Sequence, residues 1–109
     1  MITLIQATDY SFDPEVLKCD IPVLASFLAQ WSARAAELAP QLEHLAAENP
    51  ERVKVVSVEI EENPRVTSAY NVLNIPTLIL FKNGQEVIRL SGPLDEEGII
   101  NAISPFLDQ

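Results

Sequence analysis

The sequence contains one cysteine, Cys19, one histidine, His44, and one tryptophan, Trp31, which narrows the chemistry open to it. A single thiol cannot close an internal disulfide. Cys19 falls where a first helix is expected to end and reads as a structural thiol. Ser32 could act as a nucleophile only with a base within hydrogen-bond reach. His44 lies twelve residues further along the same helical pattern, about 18 Å away at 1.5 Å rise per residue. Ser32 reads instead as the N-cap of that helix, its oxygen accepting a backbone hydrogen bond. Glu59, Glu61 and Glu62 form an acidic cluster. With no histidine or paired cysteine nearby, they read as a solvated edge rather than a metal site. No residue pattern calls for a cofactor. Trp31 is the remaining candidate: it follows the carboxyl end of a strand pattern, where open α/β sheets bind ligands.

The elements that must position these residues follow from the hydrophobic pattern. Thr3 to Gln6 reads as a short strand, and Phe12, Val16 and Leu17 as a helix opened by Asp13-Pro14. Val23 to Leu28 is nearly continuous in apolar character, as in a strand covered on both faces. Leu38, Leu42, Leu45 and Ala46 recur at the helical period and place a long helix from about Ala33 to Glu48. Pro40 inside it predicts a kink. Arg52 to Ile60 is a valine-rich strand, and Asn63-Pro64 reads as cap and first turn of another helix. Thr77 to Lys82 and Glu86 to Ser91 form a hairpin across Asn83-Gly84. Ile99, Ile100, Ile103 and Phe106 mark a final amphipathic helix. Early strand–helix alternation implies parallel crossovers and the hairpin adds antiparallel pairs, so the expected class is α/β with one mixed sheet.

Composition fits one domain over residues 1–109. At 48% apolar and 21% charged residues the chain is ordinary globular protein and not a disordered one. A net charge of -9 repels phosphate backbones and anionic lipid, which disfavours nucleic acid and membrane surfaces as partners. No apolar run is long enough to span a bilayer. Met1-Ile2-Thr3-Leu4 lacks the basic region of a signal peptide, so the cytoplasm is the expected compartment.

Ser26-Phe27-Leu28-Ala29-Gln30-Trp31, Ile75-Pro76-Thr77, Phe81-Lys82-Asn83-Gly84 and Gly92, in this element order, resemble the thioredoxin family over nearly the whole chain. The resemblance implies a thioredoxin fold, with a mixed central sheet of about five strands flanked by about four helices. It also implies a shallow groove formed by Trp31, Ile75, Pro76 and Gly92, with Arg34 at its rim. A cis peptide before Pro76 would turn the backbone of Ile75 outward to pair with an extended polypeptide.

Where that family carries Trp-Cys-Gly-Pro-Cys, this chain has Trp31-Ser32-Ala33-Arg34-Ala35. Disulfide exchange needs an attacking thiolate and a resolving thiol, and Ser32 and Ala35 are neither. The aspartate the family buries beneath the second cysteine corresponds to Ser26, and the lysine often paired with it to Ser57. Because an unpaired buried carboxylate is costly, this joint absence points to a native loss of redox chemistry. Trp31-Ser32-Ala33-Arg34 and Gly92-Pro93-Leu94-Asp95-Glu96-Glu97 further resemble the thioredoxin-like domain of chaperedoxins, which implies holding of unfolded clients.

The expected function is therefore a redox-inactive module that binds polypeptide partners through its groove. An oxidoreductase whose cysteines have been replaced, and a scaffold that assembles through its sheet, are the alternatives.

Overall fold

In the computed structural model, which describes residues 4–107, the apolar run read from the sequence forms the middle of a five-stranded sheet. The strands are β1 (Ile5–Gln6), β2 (Val23–Leu28), β3 (Lys54–Glu59), β4 (Thr77–Lys82) and β5 (Gln85–Ser91). Their order across the sheet is β1-β3-β2-β4-β5. The three strands β1, β3 and β2 run parallel, whereas β4 is antiparallel to both β2 and β5. Thr3, expected in the first strand, lies outside the described residues.

Alternation along β2 explains why its sequence lacks a polar face. Val23, Ala25 and Phe27 join one core with Val56, Val58, Ile79 and Phe81, which Phe12, Val16 and Val66 cover. Leu24 faces the opposite core with Leu78 and Leu80, under Leu38, Leu42 and Leu45 of α1 (Ala33–Glu48) and Ile99 and Ile103 of α3 (Glu96–Ile103). In the first core, Phe81 meets Phe12 and Tyr70 edge-on, with ring centroids 5.6 and 5.2 Å apart, the geometry that aromatic quadrupoles favour.

The helices depart from expectation in two places. Phe12 to Leu17 holds no full helix but a single π-helical turn, Asp13–Leu17, closed by the Lys18 amide donating to the Asp13 carbonyl at 3.0 Å. Three α-helices, this turn and a final 3₁₀ turn (Ser104–Phe106) therefore take the place of four helices. Helix α2 (Pro64–Ala69) begins where expected, but the Asn63 side chain does not cap it. Asp9 does so from 56 residues away, its carboxylate accepting from the Arg65 amide at 3.2 Å and the Val66 amide at 2.8 Å. Asn63 instead ties the same loop down, accepting from the Asp9 amide and donating to the Glu59 carbonyl, both at 2.9 Å. Helix α1 runs through Pro40 without interruption.

The hairpin turn has positive φ at both Asn83 (54°) and Gly84 (79°), as a two-residue turn matched to strand twist requires. Gly84 is also held by space, because a Cβ there would stand 2.9 Å from the Leu17 carbonyl oxygen. In β5 the register slips: Ile88 pairs with Leu80 while Glu86 pairs with Phe81, leaving Val87 as the extra residue of a bulge on this outer strand. No helix among the described residues is long and apolar enough to cross a membrane.

Candidate functional site

The residues singled out in the sequence gather at the carboxyl end of β2, where the chain enters α1. Ser32 is the N-cap: its φ and ψ are extended, and its Oγ accepts from the Ala35 amide at 3.2 Å. Such a cap satisfies one of the amides that a helix leaves unpaired at its start. The hydroxyl is thus engaged and the residue buried, and His44 projects from the far half of α1 to another partner. No nucleophile–base pair exists here. Ala35 is also buried.

Trp31 stands just before this cap with 67% of its surface exposed. A core role is therefore not its function, because tryptophan is usually well covered when it supports a fold. The Ile75–Pro76 peptide is cis, and the loop is braced by the Thr77 hydroxyl donating to the Asn74 carbonyl. Among the described residues, no turn or loop backbone hydrogen bond involves Ile75.

Arg34, Pro76 and Gly92 line one recess of about 270 Å³. Trp31 and Ile75 do not line it, so the structure joins three of the five expected groove residues in one recess and not the other two. Glu37, Leu38, Gln41, Pro93 and Leu94 complete the recess. The sequence reading placed none of these five in the groove, although Glu37 and Gln41 follow Arg34 at helical spacing on one face of α1. Gly92 has φ of 88°, and a Cβ there would meet nothing within 4 Å. Its conformation, not crowding, calls for glycine.

The wall of the recess is fixed by contacts from α1 to the start of α3. Gln41 Oε1 accepts from the Glu96 amide at 2.8 Å, and His44 Nδ1 donates to the Glu96 carboxylate. That carboxylate raises the His44 pKa above its ordinary 6.5, chiefly through the hydrogen bond and then through its charge, with Glu48 adding a smaller push.

On the other side of the α1 entry, Leu28, Ala29, Gln30, Ala35, Ala36, Ala39, Ser57, Glu59 and Glu62 wall a second cleft of about 410 Å³. Ser57 pairs directly with Ser26 across β2 and β3. Ser26 is fully buried, and its Oγ has no hydrogen-bond partner among the protein groups. Both serines lie on the sheet face that α1 covers. Cys19 is half-buried beyond the π-helical turn. No three His, Cys, Asp or Glu side chains converge as a metal would require among the described residues.

Comparison with known proteins agrees with this architecture. The sequence profile of the family described as Thioredoxin matches residues 3–105. Thioredoxin 1 of Synechococcus elongatus is 39% identical over 100 residues, covering 92% of this chain and 94% of that protein. Thioredoxin 1 of a Nostoc species is 37% identical over 102 residues, covering 94% and 95%. Thioredoxin of Rickettsia bellii is 44% identical over 79 residues, covering 72% and 75%. With a profile match over residues 3–105, a mixed sheet of this order and a cis-proline loop beside the start of α1, the chain belongs to the thioredoxin family, and with Cys19 as its single cysteine it holds no Cys-x-x-Cys pair.

Proposed function

We propose that this chain is a redox-inactive thioredoxin-fold module that binds extended polypeptides, in a chaperone-like or adaptor role, in the cytoplasm. The observation that carries the reading is the exposure of Trp31, 67% open to solvent at the mouth of a helix whose cap has no chemistry to perform. An exposed tryptophan is a ready anchor for a partner. The unpaired backbone at Ile75 supports it, because an extended segment gains affinity from main-chain hydrogen bonds and selectivity from side-chain recesses. Ser26 and Ser57 fit the same reading. With no thiol proton to move, a carboxylate and an amine at those positions would only add desolvation cost. A surface this small implies weak, transient complexes.

The test is binding of a reduced and alkylated unfolded polypeptide, followed by Trp31 emission. Binding should shift the emission, and Trp31→Ala should reduce affinity about tenfold or more, as truncation of an anchor residue does. Equal binding by Trp31→Ala, with no emission change in the parent protein, would remove the groove reading and leave a scaffold.

A further inference from the structure

We infer that the cleft walled by Ala36, Ser57, Glu59 and Glu62 receives a lysine or arginine side chain of the bound polypeptide. The inference rests on the polypeptide-binding reading above and adds to it the chemistry of the partner.

The cleft is lined by Ala29 and Gln30, the two residues before Trp31, which sets it next to Trp31 along the chain. Its inner wall is short and apolar: Leu28, with Ala35, Ala36 and Ala39 from one face of α1. Such a wall suits the methylene stem of a long basic side chain, which packs along apolar surface while its charged head stays near water.

The head would meet the carboxylates of Glu59 and Glu62, both on the cleft wall. No ion pair of the described residues engages either one, whereas Glu15, Glu86 and Glu96 are each matched within the chain. Among the described residues no basic one lines this cleft, in contrast to the first recess, where Arg34 stands. Gln6, Gln30 and Ser57 supply further polar lining. Behind Ser57, its strand partner Ser26 is fully buried and its hydroxyl has no protein partner. At about 410 Å³ the space admits a lysine or arginine side chain with part of its hydration. The overall charge of -9 favours the same class of partner at long range.

The experiment uses uncharged, extended apolar peptides in which one position at a time carries lysine or its neutral isostere norleucine. Each is titrated against the intact protein by Trp31 emission and by fluorescence anisotropy of a label on the peptide. At one position lysine should bind about three- to fivefold more tightly than norleucine, the scale of a partly exposed ion pair. Glu59→Gln and Glu62→Gln should each shrink that ratio towards one and leave the norleucine peptide unchanged, and added salt should shrink it too. A ratio of one at every position overturns the inference while the groove stands. Equal loss of lysine and norleucine binding in the glutamine variants also overturns it, because the carboxylates would then be shaping the surface and not pairing. If no peptide binds, or Trp31→Ala changes none of the affinities, the groove reading fails and the cleft assignment falls with it.

Discussion

Ser26 and Ser57 stand side by side on adjacent parallel strands, and the Ser26 hydroxyl is sealed from solvent without a protein partner. A buried, unsatisfied polar group weakens a fold, and replacing it with an apolar group of similar shape relieves the penalty. Ser26→Ala should therefore raise stability by about 0.5–1 kcal/mol, seen as a higher urea midpoint at unchanged m. Ser26→Asp should lower stability by about 2–3 kcal/mol at pH 7, because its carboxylate would be buried beside an uncharged neighbour. Adding Ser57→Lys should recover part of that loss. A Ser26→Ala midpoint below the parent's would contradict this account.

Asp9 holds the start of α2 from a distant loop, accepting from the Arg65 and Val66 amides. Asp9→Ala should cost about 1–2 kcal/mol, the range for losing an N-terminal cap. Amide exchange at Arg65 and Val66 should quicken more than at α1. Unchanged exchange at those two amides would show that α2 does not depend on the cap.

The His44–Glu96 contact joins α1 to α3 and makes stability depend on pH in a defined sense. The folded pKa of His44 is raised above its unfolded value near 6.5. Its contribution is thus fully present below about pH 6.5 and is lost as pH rises through the folded pKa. NMR titration should place the His44 midpoint above 6.5, and Glu96→Gln should bring it back. Parent and His44→Gln proteins should differ most in stability at mildly acidic pH and converge at alkaline pH. A His44 midpoint at or below 6.5 would refute the pairing.

Without a dithiol, the protein should reduce insulin disulfides in dithiothreitol no faster than the uncatalysed reaction. Cys19→Ser should leave that baseline unchanged. Turnover well above background that persists in Cys19→Ser would require a different chemistry at Ser32 or elsewhere.

Local chemistry made several elements legible in the sequence. Asn83-Gly84 announces its turn because few residue pairs adopt two positive φ angles, and Ser32 announces its cap because the acceptor and amide are three residues apart. The Asp9 cap could not be read the same way. Asn63 sits at the position that local rules favour, but a carboxylate 56 residues away takes the amides while the Asn63 side chain is drawn to Asp9 and Glu59. The turn after Phe12 carries helical spacing yet stops at five residues, since spacing over so short a run does not separate one turn from a helix. At the site, Pro76, Gly92 and Arg34 were found together, whereas the second cleft depends on absence. Serines and alanines leave room that no single residue type signals.

The bulge at Val87 interrupts the regular row of backbone donors and acceptors on the sheet's outer strand, and bulged edges twist away from further pairing. If the chain binds extended segments as proposed, any of them could use a flat β5 as a template for cross-β growth. On that reading the irregular edge disfavours stacking along the sheet, and a complex formed at the groove would come apart again instead of seeding aggregates.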